Sequence, residues 1–187
     1  MNFTELKEKI MFATKQAFIE MYEKHGEERI YAFALYSDEG AMTVCPATNT
    51  LDYLETEKKK DSDLDDFDMF DETDLKYYKF EPAEWKYEMM GADKLFNEIS
   101  KQCYDEADKS EENDEFDSYQ NQLYNTCIEV LEELKSANFF KQITGNDIFL
   151  FFTVTDYEFG KREVKKIIKT LNDNKYNKEY LDWMKTW

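Results

Sequence analysis

The sequence predicts an α+β fold in a single domain that spans residues 1–187. We expect a largely antiparallel sheet of about four or more strands, packed with amphipathic helices. Several long segments repeat apolar residues every three or four positions, as helices do. Shorter runs are rich in β-branched and aromatic residues and are bounded by turn residues. No linker rich in Pro, Gly or Ser interrupts the chain.

The N-terminal part of the chain predicts a helix followed by a hairpin. Residues 4–24 keep one face apolar, with Thr4 as the N-cap and Gly26 as the stop. Residues 30–36 are apolar on both alternations, which indicates an inner strand covered on two faces. The turn at 37–40 leads to a second strand at 41–45, which we expect Pro46 to end.

The rest of the chain alternates helices with further strands. Strands are predicted at 75–80 and 147–155, and the continuous apolar run of the second places it at the centre of the sheet. Helices are predicted, from their apolar periodicity, at 50–60, 92–107, 118–135, 161–171 and 175–185.

Acidic residues are concentrated in two stretches. The net charge is −18, from 24 Lys and Arg against 42 Asp and Glu. Residues 52–74 hold 11 acids and three lysines, and residues 105–117 hold eight acids and one lysine. Most of the net charge therefore lies in these two stretches. We expect acidic loops near 61–74 and 105–117.

The charge and the cysteines limit the partners and the compartment. Nucleic acid and anionic membrane surfaces both require a basic face, so we expect neither as a partner. No stretch approaches the roughly 20 apolar residues that cross a bilayer, and the N-terminus lacks the apolar core of a signal peptide. Cys45, Cys103 and Cys127 form no CxxC pair, which indicates reduced core thiols and a cytoplasmic protein.

The first acidic stretch is the candidate partner-binding site. Charge steers a basic protein and aromatic side chains hold it, and residues 61–74 combine the two. The residues that we expect to contact a partner are Asp61, Asp63, Asp65, Asp66, Phe67, Asp68, Phe70, Asp71, Glu72 and Asp74. The structural alternative is that both acidic stretches are solvated loops that bind nothing.

A calcium loop is a further interpretation of the same residues. Asp61, Asp63, Asp65 and Glu72 occupy the positions of four ligands in such a loop. Asp66, however, stands where the sharp turn of the loop needs glycine. We therefore expect no metal and no other cofactor.

Recognisable catalytic motifs are missing from the sequence. His25 is the only histidine, which removes multi-histidine metal sites and most Ser-His-Asp arrangements. At the end of the first helix it is expected to cap the helix or face solvent. No phosphate-binding glycine loop, nucleophile elbow or zincin motif occurs. We expect a protein without catalytic activity, and an enzyme of unrecognised type is an alternative.

Three segments, at 31–50, 82–88 and 149–160, resemble a bacterial family known only as a domain of unknown function. The positions that carry the resemblance are Asn49-Thr50, Trp85 and Thr155-Asp156. The resemblance implies an association with the immunity proteins of polymorphic toxin systems, and therefore a small acidic protein that neutralises a toxin. It implies no reaction and no site residues. The acidic stretch at 61–74 lies outside its pattern.

The leading hypothesis is therefore a non-catalytic binding protein, specifically an immunity protein. It would neutralise a basic toxin, for instance a nuclease with a phosphate-binding cleft, by occluding that cleft with an acidic surface. The alternative from another class is an intracellular scaffold or regulatory domain whose acidic loops serve solubility.

Overall fold

The computed structural model describes residues 1–62, 72–155 and 159–187, with the backbone alone for 60–62 and 72–74. Its helices are α1 (Phe3–His25), α2 (Leu51–Ser62), α3 (Glu72–Phe80), α4 (Asp93–Glu112), α5 (Phe116–Ser136), α6 (Phe139–Thr144), α7 (Lys161–Leu171) and α8 (Lys175–Trp183). Its strands are β1 (Ile30–Asp38), β2 (Cys45–Thr50), β3 (Tyr87–Glu88) and β4 (Phe149–Thr155).

The strands form one mixed sheet in the order β3-β2-β1-β4. β2 is antiparallel to both β1 and β3, whereas β4 is parallel to β1. The α+β class is confirmed, and the sheet is mixed rather than purely antiparallel. β1 is an inner strand, as predicted, and all its residues before Asp38 are buried.

Helices cover both faces of the sheet. On one face, Phe33 of β1 packs edge-on against Phe18 of α1, with ring centroids 5.5 Å apart, and Phe152 of β4 contacts a tyrosine of α5. On the other face, Phe149 of β4 stacks on Tyr180 of α8. Because successive strand residues point to opposite faces, this arrangement explains why β4 is apolar at successive positions.

β4 is an edge strand, so the prediction that it lies at the centre of the sheet is wrong. Asn172, fully buried after α7, covers part of the open edge. Its side chain accepts a hydrogen bond from the Leu150 N–H (2.9 Å) and donates one to the Leu150 carbonyl oxygen (2.8 Å). The amide group thus takes the place of a neighbouring strand at Leu150. The apolar run reflects burial, which a covered edge strand shares with a central one.

Residues 75–80 belong to helix α3, so the strand predicted there is wrong. Two side chains from the sheet satisfy carbonyl groups at its end. The Tyr31 hydroxyl donates to the Lys79 carbonyl (2.8 Å), and the Asn49 amide donates to the Tyr78 carbonyl (3.1 Å). These long-range hydrogen bonds stabilise the end of the helix. The six-residue pattern at 75–80 does not by itself distinguish a helix from a strand.

The second hairpin strand, β2, begins at Cys45, and the prediction of a strand at 41–45 that ends at Pro46 is wrong. Pro46 lies within β2, opposite Leu35. A proline near the start of a strand is tolerated because the missing N–H breaks little of the ladder. Residues 39–44 form the β1–β2 connection instead.

The helix ends differ slightly from the predictions. The N-cap of α1 is Asn2 and not Thr4, because the Asn2 side chain accepts from the Thr4 N–H (3.1 Å) and the Glu5 N–H (3.3 Å). Thr50 caps α2 by accepting from the Tyr53 N–H (3.2 Å). The short helix α6 has no counterpart among the predicted elements.

The three cysteines are buried and free, as predicted. Among the described residues, no helix combines the length and the apolar content that crossing a membrane requires.

Candidate functional site

The partner-binding residues predicted in the first acidic stretch lie outside the part of the chain whose side chains are described. Asp61, Glu72 and Asp74 have a described backbone only, in α2 and α3. Asp63, Asp65, Asp66, Phe67, Asp68, Phe70 and Asp71 lie outside the described residues altogether, as does Asp156 of the resemblance motif. The docking face and the calcium loop at 61–74 therefore stay predictions.

The second acidic stretch is described, and most of it is helical rather than a loop. Residues 105–112 form the last turns of α4. The buried face of the helix continues through Cys103, Ala107 and Ser110, so the periodicity extends into the acidic sequence. Residues 113–115 connect α4 to α5. The expected loop is thus wrong for most of its length, because the acids occupy the solvent face of an amphipathic helix.

Seven carboxylates of this stretch are exposed, and none forms an ion pair with a residue that the structure describes. We call them the acidic α4–α5 surface: Asp105, Asp108, Glu111, Glu112, Asp114, Glu115 and Asp117. Glu106, the eighth acid, is half-buried and pairs with the amino group of Met1. Glu111 and Glu112 end α4, where the partial negative charge of the helix dipole opposes them. The placement is therefore electrostatically unfavourable to the folded protein.

The β1–β2 connection is fixed beside this surface by side chains of α5. The Tyr119 hydroxyl lies 2.9 Å from the Ala41 carbonyl oxygen. Gln120 donates to the Glu39 carbonyl (2.7 Å), and Tyr124 donates to the Asp38 carbonyl (2.8 Å). Burial raises the pKa of Tyr119 well above its ordinary value, so its hydroxyl remains a donor.

A shallow groove of about 470 Å³ opens between this connection and α4. Its lining residues are Asp38, Met42, Thr43, Ser100, Lys101 and Tyr104. Tyr104 is 51% exposed, although its ring is largely apolar. On α4, Tyr104 lies one turn before Asp108 and two turns before Glu111, so the groove adjoins the acidic α4–α5 surface.

Positive charge is concentrated elsewhere, on the exposed side of α7. We call four exposed residues the basic α7 strip: Arg162, Lys165, Lys166 and Lys169. None of the four has an ion pair with a described residue. Two surfaces of opposite sign mean that a basic partner is attracted to one and repelled by the other.

A polar cluster joins the end of α1 to β3 around the Glu28 carboxylate. This carboxylate accepts hydrogen bonds from the Tyr87 hydroxyl (2.6 Å) and the Lys86 ammonium (2.7 Å). Burial disfavours its charged form, but these donors outweigh the burial and lower the pKa of Glu28 to about 2. Glu28 is therefore an ionised anchor between the two elements.

His25 belongs to this cluster, which differs from the predicted capping or solvent-exposed role. Its ring stacks on Tyr87, with centroids 4.1 Å apart. Nδ1 lies 2.9 Å from the Tyr87 hydroxyl and 3.2 Å from the Glu28 carboxylate. The Nδ1 atom thus faces two oxygen atoms, and these contacts fix the orientation of the ring.

Glu81, directly after α3, is a carboxyl of the opposite kind. Burial raises the pKa of Glu81 to about 7, and the nearby carboxylate of Glu84 adds to the effect. No cation pairs with Glu81 among the described side chains. Across the described part of the chain, no group of three or more His, Cys, Asp or Glu side chains is arranged to hold a metal ion.

The groove residues Tyr104 and Met42 are absent from the sequence-predicted site. One signal in the sequence does mark Tyr104: it falls outside the apolar face of α4 that Ile99, Cys103 and Ala107 define, and it precedes Asp105 directly. No comparable signal marks Met42, because its place depends on how the β1–β2 connection folds against α4.

Comparison with known proteins gives one match. A family model described as a domain of unknown function (DUF4303) matches residues 10–173. Neither a curated protein nor a solved structure matches the chain significantly. The match supports the resemblance to a family of unknown function and supplies no link to toxin immunity.

Proposed function

The chain belongs to the DUF4303 family, a domain of unknown function, and from its own surface we propose that it is a non-catalytic protein that binds a basic protein partner. The contact is made by the acidic α4–α5 surface, and the acidic residues at 61–74 add attractive charge. The single observation that carries the proposal is the group of seven exposed carboxylates, none of which is ion-paired with a residue that the structure describes.

The position of Asp108, Glu111 and Glu112 supports a role in binding rather than in folding. Like charges near the end of α4 repel one another and oppose the helix dipole, so they lower the stability of the folded protein. Charged residues also keep a protein soluble, but acidic residues elsewhere in the chain already provide that charge. The same carboxylates attract a basic partner, and this attraction speeds association.

The finer proposal is that the partner is a toxin and the chain its immunity protein. A nuclease holds phosphate in a basic cleft, and the acidic α4–α5 surface can compete with phosphate for that cleft. Binding of this kind requires no turnover. It predicts tight association that weakens as salt rises.

One observation favours an enzyme as the second candidate. Glu28 and Tyr87 orient the His25 ring through contacts with Nδ1, as neighbouring groups orient the histidine of many general-base sites. The two functions differ in their need for His25. A His25→Gln variant that keeps the full biological activity of the wild type contradicts the enzyme, whereas loss of that activity with unchanged binding of the partner supports it.

The experiment is a capture from the native cell with the tagged full-length chain, at low and at high salt. We expect a basic protein that is retained at low salt and released at high salt. The reversal Asp108→Lys/Glu111→Lys/Glu112→Lys abolishes capture, and because Lys suits the end of a helix, this variant keeps the fold. The matched control, Lys165→Glu/Lys169→Glu on the basic α7 strip, retains it. Equal capture by both variants overturns the proposal.

A further inference from the structure

We propose that the groove beside Tyr104 is the anchoring pocket of the docking surface, and that it receives an apolar or aromatic side chain flanked by lysines or arginines. This inference rests on the proposed function, because it specifies what the basic partner presents to the acidic α4–α5 surface. The occupant follows from the groove itself: its centre is apolar and its rim is acidic.

The apolar centre consists of two side chains that solvent still reaches. Tyr104 is 51% exposed and Met42 is half-buried. Exposed tyrosines contribute strongly to interfaces because the rigid ring offers a large contact area. The flexible thioether of Met42 adapts to the shape of an inserted ring and contacts its edge. The pair therefore suits a planar apolar side chain.

The rim supplies the complementary charge. Asp38 lines the groove and Glu39 follows it in the connection, while Asp105 and Asp108 flank Tyr104 on α4. Lys101 is the one cation among the six lining residues. A partner residue that inserts between Met42 and Tyr104 therefore places its chain neighbours against carboxylates. Cations at those neighbours gain attraction, whereas acids are repelled.

The groove is preformed, so binding does not have to order it. Asp38 accepts hydrogen bonds from the Met42 N–H (3.2 Å) and from the Thr43 hydroxyl. Ser100 of α4 accepts from the Val44 N–H (3.2 Å). At Gly40 a Cβ would lie 2.9 Å from the Asp38 carboxylate, so glycine lets that carboxylate reach Met42. A rigid site loses less entropy on binding and retains more of its contact energy.

The test uses two blocked pentapeptides as probes, in which a central tryptophan or a central alanine stands between two pairs of lysines. The full-length chain, labelled at amide nitrogens and methionine methyls, is titrated by NMR at low salt. We expect the tryptophan peptide to bind about tenfold tighter than the alanine peptide and to shift the Met42 methyl and the Tyr104 amide signals.

Two variants show whether the tighter binding of the tryptophan peptide depends on Tyr104. Tyr104→Ala removes the advantage of the tryptophan peptide and leaves the alanine peptide unchanged. The control Tyr77→Ala, at a tyrosine of α3 that is 46% exposed, changes neither. A third peptide, with glutamates in place of the lysines around tryptophan, does not bind.

The outcomes separate this inference from the proposed function. Equal affinity for the tryptophan and alanine peptides, with a silent Met42 methyl, overturns the groove and leaves the acidic surface standing. Tight binding of the glutamate peptide also overturns it, because the rim then selects no charge. Failure of both lysine peptides to bind at low salt contradicts the proposed function as well.

Discussion

Replacing Glu28 by Gln removes a carboxylate that its hydrogen-bond donors keep ionised. The expected loss of stability follows from the lowered pKa of that carboxylate. The fall in pKa from 4.5 to about 2 corresponds to about 3 kcal/mol of stability at neutral pH. Because the side chain is still 27% exposed, solvent reduces this to about 2 kcal/mol. The lowered pKa means that the contribution is complete above pH 4.5 and is lost as pH falls toward 2.

The assay is urea unfolding followed by circular dichroism between pH 6 and pH 2.5. We expect the wild-type chain to lose about 1.5 kcal/mol more than Glu28→Gln across this range. Glu27→Gln is the matched control, since Glu27 is the exposed neighbour without an ion pair to any described residue, and its curve follows that of the wild type. Parallel curves for Glu28→Gln and the wild type would falsify the assignment of Lys86 and Tyr87 as the stabilising donors.

Three further variants test other parts of the account. Asn172→Ala leaves the buried N–H and carbonyl of Leu150 unpaired, so the free energy of unfolding falls by about 2–4 kcal/mol. Glu81→Gln has the opposite pH dependence from Glu28→Gln. Because burial raises the pKa of Glu81 to about 7, the wild type loses stability between pH 4.5 and 7, and the variant is more stable by up to about 3 kcal/mol at pH 8 but equal at pH 4. Asp108→Asn/Glu111→Gln raises the stability by about 0.5 kcal/mol in low salt, an effect that 0.5 M NaCl removes.

Each of these three has an outcome that contradicts it. An unchanged denaturation midpoint for Asn172→Ala would mean that water replaces the amide at the β4 edge. Equal pH profiles for Glu81→Gln and the wild type would mean that the Glu81 carboxyl is solvated. A loss of stability on neutralising Asp108 and Glu111 would mean that these acids serve folding, which argues against a surface kept for binding.

The helical part of the fold is largely predictable from the sequence, because amphipathic periodicity is local. α7 begins and ends where its apolar residues predict, at Lys161 and Leu171. The failures arise where distant residues decide. LKYYKF at 75–80 suits a strand locally, yet Tyr31 and Asn49 bond the end of a helix there. β4 has the composition of a central strand, yet a helix and the Asn172 side chain cover it.

The candidate site was predictable in its charge and not in its shape. Counting acids locates residues 105–117, but the count does not show that they lie on a helix with Tyr104 at its exposed side. The groove depends on the β1–β2 connection, whose position is set by bonds from Tyr119 and Gln120 more than 70 residues further along the chain. The cluster of His25, Glu28 and Tyr87 joins elements that are similarly distant.

The most direct test of the central claim is the association rate of the full-length chain with its captured basic partner, measured by stopped flow from low to high salt. If the acidic α4–α5 surface steers the partner, the wild-type rate falls at least about tenfold between 20 mM and 500 mM NaCl. Asp108→Lys/Glu111→Lys/Glu112→Lys is slow at every salt concentration, and Lys165→Glu/Lys169→Glu is as fast as the wild type or faster. Equal, salt-independent rates for all three proteins contradict the claim that this surface is the docking site.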